Sequence, residues 1–491
     1  MLILLAGARV LLHLLVNGQY GFHRDELDTL DNARRLAWGY VAYPPVTPFL
    51  TRLGFELFGP SLVGLRLFPA LAQGVVMVLA GLMAGALGGG RLPKIVAVLA
   101  VTASPIALTA GLMFHYLSYD YLWWVVIAFC LIRLLKSEDG RWWLGIGAAI
   151  GLGMMTKYTL VFFVAGLAAG VLFTPARRWL RSPWLWSGAA LSLLIFLPNL
   201  LWQVQHNFIS LEFLRSIHAR DIAWGRTDGF LTDQLYVAAN AITLPLWVAG
   251  LYFYLIAPEG KRYRALGWLY IVLLVLLLAA RGRGYYLAAA YPMLLAAGSV
   301  WWEKWLMTLS TGTARQMRRT TVVALAVGVA IAIPLSLPVS PINSTVWQIA
   351  NEINDNFREM IGWPELVEAA AAIYHELPAD EQAHAAILTA NYGQLGAINL
   401  YGPAYGLPGA ISGINSAWER GYGDPPPQTA ILLGFGPEDA RRVFVSCEVA
   451  GRVTNRYDVA NEESSWQPTI MLCRQPRHPW PDLWPHLRSF G

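Results

Sequence analysis

Eleven apolar runs with basic residues in every second connection constrain the fold of this chain more than any other feature. They lie at Leu2–Val16, Ser61–Leu87, Ile95–Leu117, Tyr121–Leu135, Trp142–Met155, Leu160–Phe173, Trp184–Trp202, Tyr236–Ile256, Leu266–Ala280, Tyr285–Trp302 and Thr320–Leu337. The runs near Trp142 and Leu160 carry the weakest signal. Backbone in lipid must satisfy its own hydrogen bonds, so such runs predict spanning helices. The first is short: its 15 residues reach roughly 22 Å against a hydrocarbon core of about 30 Å, and Arg9 interrupts it. Either that helix begins at the interface with Arg9 snorkelling, or the chain starts further upstream. Leu2–Val16 leads into Asn-Gly-Gln-Tyr rather than a small-residue cleavage site, so it does not read as a removable signal peptide.

Composition agrees. Only 14% of the 491 residues are charged and 56% are hydrophobic, whereas soluble domains carry about 25% charge. A net charge of +5 with no dense basic block argues against nucleic acid as a partner. Three cysteines provide neither a disulfide framework nor metal-type spacing, and 21 tryptophans suit membrane interfaces.

Orientation follows from the basic residues. Arg91 and Lys94; Arg133, Lys136 and Arg141; Arg177, Arg178 and Arg181; Lys261, Arg262 and Arg264; and Lys304, Arg315, Arg318 and Arg319 occupy alternate connections. This is the positive-inside pattern, and it assigns those connections to the cytoplasm. The first loop, residues 17–60, then lies outside, as does the segment from about Pro341 onward. The predicted organisation is a polytopic helical domain over 1–340 and a small α/β domain over 341–491.

In the first loop, Leu27, Leu30, Ala33 and Ala37 share one helical face, with Asp28, Asp31, Arg34 and Arg35 opposite. That spacing predicts a helix in the membrane interface, broken at Pro44-Pro45. The last 150 residues alternate helical stretches (Trp347–Glu359, Trp363–Glu376) with short apolar runs at Ala385–Leu388, Ala430–Leu433, Val443–Val445 and Ile470–Leu472. Cys447 and Cys473 share an oxidising compartment in this topology, which permits a bond without requiring one. Cys130 reads as packing inside a span.

Ionisable groups collect at the outer ends of the spans, where they are functional candidates. They are Arg24, Asp25 and Glu26 in Tyr20-Gly-Phe-His-Arg-Asp-Glu-Leu-Asp28, Asp120, Lys157, His206, and Arg281 with Arg283 before Tyr285-Tyr286. Each has a plainer reading. Asp25 and Asp120 can cap helices, Lys157 and the arginines can snorkel, and His206 can be structural. Tyr285 and Tyr286 can belong to an aromatic belt. The arginines violate the positive-inside bias, for which phosphate binding is a physical reason.

Taken together, Arg24-Asp25-Glu26, Trp38-Gly-Tyr40, Pro44-Pro45, Ser118-Tyr-Asp120, Thr156-Lys-Tyr158, Pro198–Phe213, Tyr285-Tyr286 and Tyr291-Pro292 resemble the type-C membrane glycosyltransferases. The relevant branch is that of the protein O-mannosyltransferases and the lipid A aminoarabinose transferase. The resemblance covers most of the chain and implies an all-α membrane domain of that type. It implies a polyprenyl-phosphate-linked sugar as donor, an envelope acceptor of unspecified class, and no nucleotide or metal cofactor. It further implies Asp25 as general base for an acceptor hydroxyl, with Glu26 and Asp120 as helpers. Arg24, Lys157, His206, Arg281, Arg283, Tyr285 and Tyr286 would serve the donor phosphate or substrate. If the acceptor is already a phosphate, Asp25 only orients it. The expected setting is a bacterial inner membrane with the C-terminal domain outside the cytoplasm.

Three features depart from the pattern. The tail lacks a β-trefoil look, the membrane region is shorter than that of the lipid A enzyme, and Arg281-Gly-Arg283-Gly replaces a Lys-Pro-like approach to Tyr285. A transporter or lipid flippase is the competing expectation. It predicts inverted repeats and charges at span centres, and neither is visible in the sequence. A non-catalytic scaffold leaves the end-of-span charges unexplained.

Overall fold

The computed structural model describes residues 1–491. Most of the first 340 residues form a helical bundle: α1 (Leu2–Val16), α2 (Arg24–Ala33), α3 (Val46–Phe58), α4 (Leu62–Ala86), α5 (Arg91–Thr102), α6 (Pro105–Leu112), α7 (Tyr116–Ser137), α8 (Trp142–Met154), α9 (Leu160–Leu172), α10 (Pro183–Gln205) and α11 (Ile209–Ala223). After these come α12 (Phe230–Asp233), α13 (Leu244–Leu255), α14 (Arg264–Ala279), α15 (Tyr291–Leu306) and α16 (Thr311–Ser336). Five helical segments are long and apolar enough to cross a membrane, or up to eight if each bent pair is one span; α1 and α8 are shorter apolar helices.

The bends have local causes. The run over Ile95–Leu117, expected as one straight span, turns by 70° between α5 and α6. There the Ser104 hydroxyl accepts the Ala107 N–H at 3.3 Å, and Pro105 opens the new helix at its first turn. Helices approach closely through glycine: Gly147 of α8 and Gly188 of α10 each lie against the other helix's backbone. Arg9 does not snorkel. It is 3% exposed and its guanidinium donates to the Ala107 carbonyl of α6. The interior of the bundle offers a buried carbonyl that the lipid surface does not.

The basic connections gather at one end. Arg178 and Arg262 both meet Glu138, Lys304 meets Glu259 at 3.6 Å, and Lys136 donates to the Ala86 carbonyl at 2.7 Å. α7 runs from His115 at the other end to Lys136 here, a rise of about 33 Å.

Beyond α16 the chain adds α17 (Thr345–Ile353), α18 (Trp363–Glu376), α19 (Ala379–Gln382) and α20 (Tyr392–Tyr401) around a five-stranded sheet. Its strands are β1 (Ala385–Thr389), β2 (Ala410–Ser412), β3 (Thr429–Leu433), β4 (Phe444–Arg452) and β5 (Thr469–Pro476), in the order β2-β1-β3-β5-β4. β1 runs parallel to β2 and β3, whereas β5 is antiparallel to β3 and β4. Three of the four expected apolar runs lie on strands, and the fourth, Val443–Val445, straddles the end of a short helix (Pro437–Val443) and the start of β4. β2, only three residues long, carries too little pattern to be read. Cys447 and Cys473 sit opposite each other on β4 and β5 and are bonded.

This small domain does not stand apart from the bundle. Trp363, Leu366, Ile387 and Ile431 share one core with Phe22, Leu27, Leu30, Leu65 and Phe114. That contact corrects the reading of α2 as a helix floating in the interface. Leu27, Leu30 and Ala33 are buried as expected, but so are Asp28, Asp31 and Asn32. Part of the polar face meets the domain instead of water: Asp31 pairs with Arg420 and accepts Asn399 Nδ2 at 2.7 Å, while Asn32 Oδ1 accepts Arg420 Nη2 at 2.7 Å; Arg34 and Arg35 stay exposed as expected. Ala37 lies beyond the helix and is exposed.

Candidate active site

Asp25 and Glu26, adjacent in sequence, have opposite fates. His23 rather than Asp25 caps α2, its Nδ1 accepting the Asp25 N–H at 3.1 Å. Glu26, at the third helical position, closes a reciprocal box by accepting the His23 N–H at 2.8 Å. Glu26 also takes two donors from Arg66 at 2.9 and 2.6 Å and the Phe114 N–H at 3.1 Å. Both side chains of the Glu26–Arg66 pair are fully buried. Arg66 spends its other donors on the Asn17 and Gly21 carbonyls. Every strong donor of this pair is committed to holding the first loop, so Glu26 is absent from the cavity its neighbour faces.

That cavity, about 840 Å³, lies between the bundle and the C-terminal domain. Asp25 projects into it one-third exposed, at the positive end of α2. Its Oδ1 accepts the Tyr392 hydroxyl at 2.9 Å, and its Oδ2 lies 3.7 Å from both His23 and His115. Burial pushes this carboxyl up, but His23, His115, Arg24 and the Tyr392 hydroxyl together outweigh it and hold it at about 2. Asp25 is therefore an anion at any physiological pH. Burial is also the main influence on His115, taking it down to about 4. Its Nδ1 accepts the Leu117 N–H at 3.3 Å, which assigns the proton of the neutral ring to Nε2, the nitrogen facing Asp25.

Lys157, just after α8, lines the same cavity. Its ammonium sits 4.3 Å from the Tyr286 ring centre, 5.1 Å from Tyr116 and 5.7 Å from Tyr285, and it makes no ion pair. Cation–π contact offsets part of its desolvation but leaves its N–H donors free for an anion. The two lining arginines of the sequence reading differ. Arg283 is gripped by Asp221 of α11 through two bonds of 2.7 and 2.6 Å. Arg24 pairs with Glu462 and lies 5.0 Å over the Tyr392 ring. Both are already neutralised; Lys157 is not.

The cavity thus brings together Arg24, Asp25, Lys157, Arg283, Tyr285 and Tyr286. It leaves out four expected residues, each for a physical reason. Glu26 is consumed by Arg66. Asp120 lies one turn inside α7, 5% exposed, accepting the Trp124 indole at 2.9 Å. His206 ends α10 stacked on Trp202 at 3.9 Å, its Nδ1 2.8 Å from the Trp202 carbonyl. Arg281 occupies a turn with φ 48°, is 56% exposed and reaches Asp228 at 3.8 Å. Sequence reasoning missed His23, His115 and Tyr392. His115 lies three residues before the Ser118-Tyr-Asp120 motif, and a lone histidine there carries no local signal. Tyr392 lies 367 residues from Asp25, and nothing local announces their contact.

A helical bundle with a small α/β domain docked over a cavity at one end is a fold with counterparts among solved structures. Crystal structures of ArnT from Cupriavidus metallidurans, with undecaprenyl phosphate and in the apo state, match it with TM-scores of 0.58 and 0.59. These matches cover 96% of this chain and 97% of that one, at 15% and 14% identity, which speaks to the fold. Residues 42–202 match the family described as Dolichyl-phosphate-mannose-protein mannosyltransferase. Over 279 residues the chain is 26% identical to Lipid A galacturonosyltransferase RgtD from Rhizobium johnstonii, covering 54% of this chain and 56% of that one. Over 169 residues it is 30% identical to Undecaprenyl phosphate-alpha-4-amino-4-deoxy-L-arabinose arabinosyl transferase 1 from Pseudomonas fluorescens, covering 32% and 30%. The chain thus spans about half the length of the first relative and less than a third of the second.

Proposed function

We propose that this protein transfers a sugar from a polyprenyl-phosphate carrier to an envelope acceptor, at the membrane face opposite its basic connections. One observation carries the reading: Asp25, its carboxyl held low by the groups around it, and an unpaired Lys157 line a single cavity that lies toward the lipid-spanning bundle on one side and the C-terminal domain on the other. The ArnT structure with undecaprenyl phosphate and the name of the Pseudomonas fluorescens relative support a lipid-phosphate donor, and the name of the Rhizobium relative supports sugar transfer.

In this reading Lys157 receives the carrier phosphate, with the rings of Tyr285 and Tyr286 beside it. The acceptor oxygen bonds to the anomeric carbon as the bond from that carbon to the phosphate oxygen breaks, and the electron pair leaves on the polyprenyl phosphate. Configuration inverts. Negative charge grows at the phosphate, where Lys157 stabilises it. Positive charge grows at the anomeric carbon, where Asp25 does the same. Held at about 2, Asp25 is a weak base toward a resting hydroxyl. It takes the proton late, once the attacking oxygen has become strongly acidic, and releases it to water. A phosphate acceptor brings no proton, and Asp25 then acts by charge and orientation alone.

The test is mass spectrometry of envelope glycans and lipid-linked sugars from cells with and without the protein. Loss of one envelope product with accumulation of its lipid-linked precursor is expected and names donor and acceptor together. Identical profiles in the two strains would contradict the proposal.

A further inference from the structure

We infer that Tyr392, on the first turn of α20 in the C-terminal domain, is a positioning residue for Asp25, so that this domain completes the active site instead of merely capping it. The inference rests on Asp25 being the reacting carboxylate and adds a part to that machinery.

Geometry carries it. Tyr392 is the only side chain within hydrogen-bond distance of the Asp25 carboxylate: its hydroxyl donates to Oδ1 at 2.9 Å, while the nearest histidine nitrogens stand at 3.7 Å. Asp25 Oδ1 is thereby occupied, and Oδ2 is left for substrate on the His23–His115 side. The tyrosine is itself fixed. Asn391 caps α20, its side chain accepting the Gln394 N–H at 2.9 Å and donating to Glu463 at 2.9 Å. Arg24 lies over the Tyr392 ring and pairs with Glu462, so ring and guanidinium form a stack between α2 and the domain. At the next turn Gly396 brings α20 against the Leu27 backbone, where a side chain has no room. The register between α20 and α2 therefore sets where the hydroxyl falls. The charged and titratable groups facing Asp25 are His23 and Arg24 from its own turn, His115 from the start of α7, and Tyr392 from α20. Among them only Tyr392 combines hydrogen-bond contact with an origin outside the membrane domain.

A hydroxyl that orients a reacting carboxylate acts on the transition state more than on substrate binding. With the full-length protein in lipid vesicles and its lipid-linked donor, Tyr392→Phe should lower kcat about tenfold or more and change the donor KM less than about twofold. The phenyl ring keeps the stack under Arg24, so the melting temperature should stay at the wild-type value. In an Asp25→Glu background, where the carboxylate has moved off the hydroxyl, Tyr392→Phe should have little further effect. Wild-type kcat in Tyr392→Phe would overturn the inference, as would equal losses in both backgrounds or a fall in kcat that tracks a fall in melting temperature. None of these results touches the broader reading, which fails separately if Asp25→Asn retains full transfer.

Discussion

At the scale of single residues, the site is built by spending some charges so that others remain free. Arg66, Arg24 and Arg283 are each answered by a carboxylate, and Lys157 is answered only by aromatic rings. Lys157→Met should therefore raise the donor KM about tenfold or more while leaving the melting temperature unchanged. The same logic separates the adjacent acids. Glu26→Ala strands the buried Arg66 charge and should cost about 3–5 kcal/mol of stability, seen as a large drop in melting temperature. Asp25→Ala should abolish transfer with little loss of stability. His206→Ala and Arg281→Ala should keep kcat/KM within about twofold, since neither side chain lines the cavity. Asp28 supplies a pH test. Burial is the largest influence on its carboxyl and lifts it to about 7. For a carboxyl raised above its unfolded value, stability is full below about 4 and is lost as pH rises through 7. Asp28→Asn should therefore raise the melting temperature at pH 8 by more than it does at pH 5. The sequence displayed the candidate charges because ionisable groups near a membrane are conspicuous. It did not display which were already paired, because Asp221, Glu462 and Arg66 come from distant elements.

At the scale of elements, apolar periodicity located the helices, and it failed where a span bends or a helix changes partner. The break between α5 and α6 is visible in hindsight at Ser104-Pro105, a cap followed by a helix-opening proline, yet hydropathy runs smoothly across it. The case of α2 is more instructive. Its alternation of Leu27, Leu30 and Ala33 with Asp28 and Asp31 is what an interfacial helix shows, but here the acidic face is read by Arg420 and Asn399. Amphipathicity reports that two environments differ; it does not say whether the polar one is water or protein. The α2–α20 contact can be tested directly. A Cβ at Gly396 would lie 2.5 Å from the Leu27 carbonyl oxygen, so Gly396→Val should cost about 1–3 kcal/mol of stability and reduce transfer by displacing Tyr392. An unchanged melting temperature in that variant would mean that the two helices are not held at this spacing.

At the scale of the whole molecule, the two ends of the bundle carry different chemistry. One end collects Lys136, Arg178, Arg262 and Lys304 around a few acids; the other holds the cavity under the α/β domain. Charge alternation along the sequence anticipated this polarity because it is a property of connections, each readable by itself. The cavity was legible only in part, since its roof comes from residues beyond 341 whose docking depends on a core shared with the first loop. The central claim is that Asp25 is the reacting carboxylate of a lipid-linked sugar transferase, and reconstitution tests it most directly. Purified wild-type protein and Asp25→Asn are placed in vesicles with the lipid-linked sugar that accumulates when the protein is absent. Release of free polyprenyl phosphate with formation of the acceptor product is then measured. Transfer is expected from the wild type, with a loss of about a thousandfold or more in Asp25→Asn that exceeds any fall in its melting temperature. Full transfer by Asp25→Asn would contradict it.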